Sequence, residues 1–172
     1  MSATLPLDLS PLPATSAPRG TLNTQADIVR FLEAGRAILT IRSRRSGERF
    51  TYRFRRPDAT DDQAPAARPI FVSVLRGPDN STDYVFIGTI FPTSSVCEVR
   101  PSRATKVGAN APSAKAVRWF LECAYGGDRG AARLTKLVEV WHEGRCGRCG
   151  RLLTVPESVR RGIGPECAGR LE

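Results

Sequence analysis

The side chains best suited to chemistry lie in the last thirty-odd residues. Cys146 and Cys149 form a Cys-x2-Cys pair flanked by glycines, His142 stands four positions before it, and Cys167 follows eighteen positions after it. Three thiolates and one imidazole at this spacing make a tetrahedral zinc set. The pattern predicts a structural Zn2+ held by His142, Cys146, Cys149 and Cys167, because a full protein shell leaves no position for a substrate. His142 is the single histidine of the chain, so a histidine-rich catalytic site is excluded. The glycines beside the cysteines relieve the tight turn of a knuckle and let backbone N–H groups reach the sulfurs. Gly164 and Pro165 predict a helix start that places Cys167 in the first turn, where the dipole favours a thiolate. Cys97, Cys123, Glu166 or water are the alternatives to His142 as fourth ligand.

The run G-R-C-G-R-C-G-R-L-L-T-V-P-E-S-V-R-R-G-I-G-P-E-C resembles the zinc-finger module of an uncharacterised family common in bacteriophage and bacterial genomes. Longer members of that family carry a segment similar to F-V-S-V-L-R-G-P-D-N, here at 71–80. The resemblance is specific over 141–168 and weaker over 70–121. It implies zinc and a phage or mobile-element setting, and with that a location in the host cytoplasm. Arg170 occupies the position where many treble-clef modules have another cysteine.

Charge points to a second kind of site. The chain carries 26 basic and 17 acidic residues, a net +9, and only three of the basic residues are lysines. From Arg36 to Arg56 eight arginines face one acid, Glu48. Arginine's planar fork suits phosphate, although a GC-rich genome also enriches it. Period-two alternation makes this stretch a hairpin. Ala37, Leu39 and Ile41 share one face of the first strand, and Phe50, Tyr52 and Phe54 share the core face of the second. Arg42, Arg53 and Arg55 then project from the opposite face, with Arg44 and Arg45 at the tip, and together they form the candidate nucleic-acid contact. The alternative is a solvated sheet face whose arginines keep it soluble.

The positioning elements follow from pattern. Residues 1–22, rich in Pro, Ser, Thr and Ala, read as a disordered tail. Thr24 and Asp27 resemble a capping box ahead of a short helix that ends at Gly35. A polar loop at 57–69 leads to strands at Ile70–Leu75 and Tyr84–Phe91. Both are apolar on both faces, which predicts cover from helices or from a second subunit of a homodimer. Ser113 is the expected cap of a helix to Tyr125, which Gly126 and Gly127 end, and Leu134–Trp141 alternates like a strand. The reading is α+β: an antiparallel sheet of four to five strands with two helices over 23–136, and a small treble-clef or ribbon-like zinc module over 137–172. At the level of fold the main part resembles the whirly and transcription-cofactor type of single-stranded DNA-binding domain.

The function expected from these features is a phage-type accessory protein that contacts the backbone of single-stranded DNA or RNA. The alternative is an inhibitor or adaptor that binds a protein complex of host defence or transcription. No catalytic constellation is evident; a zinc-dependent nuclease-like activity is the enzymatic alternative. No apolar run is long enough to cross a membrane, no secretory signal opens the chain, and free cysteines suit a reducing cytoplasm.

Overall fold

The computed structural model describes residues 20–57, 68–92 and 97–170. Most of the tail and most of the loop expected at 57–69 lie outside the described residues. Helix α1 spans Gln25–Glu33. Its cap is the predicted one: the Asp27 N–H donates to Thr24 Oγ1 at 3.1 Å, and that hydroxyl donates to the Asp27 carboxylate at 2.7 Å. Ile28, Phe31 and Leu32 form its buried stripe.

Five strands build one antiparallel sheet in the order β4-β3-β2-β1-β5. They are β1 (Arg36–Ser43), β2 (Arg49–Arg55), β3 (Ile70–Leu75), β4 (Tyr84–Ile90) and β5 (Val138–His142). The hairpin register pairs Arg36 with Arg55, Ile38 with Arg53, Thr40 with Thr51 and Arg42 with Arg49. Ala37, Leu39, Tyr52 and Phe54 therefore share the other face, and each is fully buried. That face packs on α1 and on α2 (Pro112–Ala124), whose Val117, Phe120 and Leu121 complete a single core. The Tyr52 hydroxyl donates to the Ser113 carbonyl at 2.7 Å inside it, which ties β2 to the start of α2.

Of the two kinds of cover expected for the sheet, helices or a second subunit, the single chain supplies helices on one face. On the other face Phe71 is 39% exposed, against the fully buried Val72 beside it. The two-sided apolar character of β3 and β4 is an open aromatic surface here. A bulge between Val72 and Ser73 lets Ile87 turn into the core while Phe86 pairs with Ser73 on the open side.

The helices need three corrections. Ala111 caps α2 in place of Ser113, because Pro112 takes the first helical position; Ser113 is one residue inside and buried. The double glycine ends α2, as expected, but not the helical region. It separates α2 from α3 (Gly127–Leu137), and the strand expected from Leu134 starts only at Val138. Leu134 is buried within α3. Gly130 allows α2 and α3 to touch, since a Cβ there would collide with the Cys123 carbonyl. Gly130→Ala should consequently destabilise the protein by about 1–3 kcal/mol, where an uncrowded helical site would gain up to about 1 kcal/mol. Urea unfolding measures the sign.

Residues 20–22, expected in the tail, are structured. The Leu22 N–H donates to the Val140 carbonyl, the His142 N–H donates to Gly20, and Leu22 joins the core. They extend the sheet beyond β5. Two short helices, α4 (Pro156–Arg161) and α5 (Pro165–Ala168), follow the knuckle. The architecture is a five-stranded antiparallel sheet with helices on one face and a C-terminal cysteine cluster fit for a small zinc module.

Candidate metal centre and exposed sheet face

The knuckle forms where the sequence predicts a tight turn. An Arg145–Leu152 bridge closes a small hairpin, and the Cys146 N–H donates to the Arg151 carbonyl at 2.8 Å. Gly164 and Pro165 start α5, which carries Cys167. Together these elements bring the Sγ atoms of Cys146, Cys149 and Cys167 within 4.8 Å of one another. Burial raises the Cys146 thiol, but N–H groups of Cys149, Gly164 and Arg148 donate to its sulfur and leave it below its ordinary value. The Cys167 thiol is pushed up to about 11, by burial first and then by the two neighbouring cysteines. Three thiols set this close compete for ionisation. A divalent cation resolves the conflict by charging all three at once, so the donor set fits a thiophilic metal ion.

His142 is not brought to this cluster. The Gly144 N–H donates to its Nδ1 at 3.0 Å, which makes Nδ1 the bare nitrogen; Nε2 therefore carries the proton and donates to the Val159 carbonyl at 2.7 Å. The ring is 2% exposed and lies 5.1 Å from Phe31, centroid to centroid. With both nitrogens engaged, the imidazole joins the end of β5 to α4 and has no lone pair for a metal. The spacing that suggested a ligand comes from its position at the strand end just before the knuckle. Cys97 and Cys123 are also remote from the cluster and buried, and burial pushes the Cys97 thiol up to about 12.

This assignment predicts the behaviour of His142→Gln. The variant should keep the wild-type metal content while losing about 1–3 kcal/mol of stability, the cost of unpaired buried groups. Burial holds the imidazole below its ordinary pKa, and the Val159 hydrogen bond opposes this only in part. The unfolded chain thus takes up a proton near pH ~6.5, and the folded chain does so only at lower pH. This contribution to stability is complete above that pH and is lost as pH falls below it, by at most about 1.4 kcal/mol per unit. Unfolding at pH 6.5 and 5.5 should show a steeper loss for wild type than for His142→Gln.

The module is fastened to the main core. The Gly147 N–H donates to the Gly162 carbonyl at 2.9 Å, and the Arg36 N–H donates to the Gly147 carbonyl at 2.6 Å. Gly162 ends α4 at φ 71°, and a Cβ there would strike the Phe31 ring. Ile163 is 2% exposed in the same core.

The second set of candidates lies on the open sheet face. The register puts Arg42, Arg53 and Arg55 on that one face, with the Thr40–Thr51 pair between Arg42 and the other two, and Arg44 and Arg45 near the hairpin tip. They are not equivalent. Glu139 on β5 pairs with Arg42 at 3.6 Å and with Arg44 at 3.0 Å. Arg45, Arg53 and Arg55 have no ion pair among the described residues, and neither does Arg49, which faces Arg42 and was not singled out from the sequence. The Arg53 guanidinium lies 4.2 Å from the Tyr84 ring centroid, and Phe71 meets Phe86 edge-on at 6.2 Å. Trp141 pairs with Thr40 at the other side of this face. These four aromatics were legible only as strand residues, because the partner strands that place them beside the arginines are distant in sequence. Phe50, Tyr52 and Phe54 face the core side, as their parity predicts.

Residues 140–172 match the model of a family described as a family of unknown function (DUF6011). The match covers the end of β5 and the metal module. No curated protein and no solved structure matches the chain. No described helix is long and apolar enough to cross a membrane.

Proposed function

We propose that the protein binds single-stranded nucleic acid on the helix-free face of its sheet, and that a structural zinc ion in the C-terminal module holds one edge of that sheet in place. The observation that carries this reading is a single surface with both required chemistries. Arg49, Arg53 and Arg55 supply charge without acidic partners among the described residues, and Phe71 with the half-buried Phe86 and Tyr84 supplies aromatic surface beside them. Guanidinium groups answer phosphates of any nucleic acid. Exposed aromatics add affinity only where base faces are free, which favours single strands over duplexes.

Zinc is the metal that best suits three thiolates on a knuckle and a helix turn. With His142 engaged elsewhere, Cys146, Cys149 and Cys167 would hold the ion and water or another donor would complete its shell. Three thiolates outweigh the ion's charge, so water bound there is a weak acid, which favours a structural over a hydrolytic role. Thiolate ligands suit a reducing compartment such as the cytoplasm. The phage setting implied by the C-terminal resemblance belongs to this proposal too.

Fluorescence anisotropy with labelled single-stranded DNA, single-stranded RNA and duplex across a salt series tests the reading. Single strands should bind at least tenfold more tightly than duplex, with affinity falling as salt rises. Equal affinity for duplex would remove the role of the aromatics. Absence of binding, together with a stoichiometric protein partner recovered from nuclease-treated lysate, would establish the inhibitor or adaptor instead. A concentration-dependent homodimer that buries Phe71 would also overturn it.

A further inference from the structure

The open face is not flat. Beside Trp141 it sinks into a recess of about 440 Å³, within the ~300–1,000 Å³ range of small-ligand sites. The floor is the Thr40–Thr51 cross-strand pair, whose hydroxyl oxygens are 2.8 Å apart. Two short side chains stand between rows of longer ones, Ile38 and Arg53 on one side and Arg42 and Arg49 on the other, so the register itself makes the hollow. Trp141, Arg49, Arg76 and Asn80 line its walls together with Phe50, Leu75 and Gly77.

The polar lining groups have unused binding capacity. Two hydroxyls that share one hydrogen bond leave one O–H proton free to donate outward. The Asn80 amide and the Trp141 indole N–H make no hydrogen bond among the described residues, and Arg49 and Arg76 make no ion pair there. The turn carrying Asn80 is already ordered: the Asp79 carboxylate accepts the N–H groups of Ser81 at 2.7 Å and Thr82 at 3.3 Å. An aromatic wall, an amide that both donates and accepts, a free hydroxyl proton and two cations at the rim match the parts of one nucleotide. They correspond to a ring to stack, a polar base edge to read and a phosphate to neutralise.

We infer that this recess takes a single nucleotide of the bound strand, its base laid against Trp141 and its phosphate between Arg49 and Arg76. The inference rests on the single-strand reading above and adds to it a discrete subsite at the β5 side of the face. The subsite would fix where along the sheet the strand sits, whereas arginines alone allow it to slide.

Trp141 and Trp119 are the two tryptophans of the chain, so Trp119→Phe isolates the emission of Trp141. Titration of that variant with a short oligothymidylate, and separately with adenosine monophosphate, should quench this emission saturably, whereas inorganic phosphate should not. By anisotropy with a labelled oligothymidylate, Trp141→Ala should bind roughly 5- to 150-fold more weakly. Thr51→Leu, which fills the recess and leaves the tryptophan, should lose affinity similarly. Circular dichroism and metal content confirm that each variant is folded. Unchanged affinity in both variants, with quenching absent, overturns the subsite while wild-type binding upholds the single-strand reading. A wild-type protein that binds no oligonucleotide overturns both.

Discussion

Cys146→Ser is expected to abolish stoichiometric metal binding and to lower the midpoint of thermal unfolding by on the order of 10 °C. Cys146 is 1% exposed, with three backbone N–H groups turned to its sulfur, so its replacement removes a ligand and unpairs the donors that surround it. A ligand that binds only the folded state contributes about 4 kcal/mol when present at a thousand times its Kd, and 1 kcal/mol shifts the midpoint of a chain this size by roughly 2–4 °C. The loss should spread beyond the knuckle. Phe31 packs against Gly162, His142 leans on Val159, and Arg36 at the start of β1 is bonded to Gly147. Chelation of the wild type should reproduce the shift. Metal content and differential scanning fluorimetry on the two samples decide it: retention of one equivalent of metal by Cys146→Ser would show that the cluster is not a metal centre, and loss of the metal with a shift below about 2 °C would show that the ion does not hold the fold.

What could be read from the sequence depended on how local the information was. The α1 cap, the β1–β2 alternation and the convergence of three cysteines are written in residues close together, and the structure has each of them. His142 shows where spacing misleads: four residues before a knuckle is a ligand's position, but Nδ1 accepts from the Gly144 N–H two residues on and Nε2 donates to Val159 of α4, a helix not expected from the sequence. Helix α3 is hard to read from the sequence because Gly126 and Gly127 do end α2 and give no sign that another helix starts at once, and because Gly130, a helix-weakening residue, is there for contact with α2. The open face was hidden for a third reason. An apolar strand residue reads the same whether a helix covers it or water does, and only the placement of every described helix on one side of the sheet separates Phe71 from Val72.

That placement sharpens the prediction for the arginines. Replacing Arg49, Arg53 and Arg55 together by Glu should reduce affinity for a single-stranded oligonucleotide at least a hundredfold. The slope of log affinity against log salt should become shallower by about 2, since each single-strand phosphate neutralised contributes roughly 0.7. These side chains lie on one strand, β2, and point away from the core, so the variant should fold and keep its metal. Single substitutions should be unequal, and the inequality is the stricter check. Arg42 and Arg44 already share the Glu139 carboxylate, so a phosphate gains less from them than from Arg53, which has no acidic partner among the described residues. Arg53→Gln should therefore weaken binding severalfold more than Arg42→Gln in the same anisotropy titration. Equal losses would mean that the strand responds to total charge alone and that the sheet face does not set its path. An unchanged salt slope in the triple variant would place the contact elsewhere on the protein.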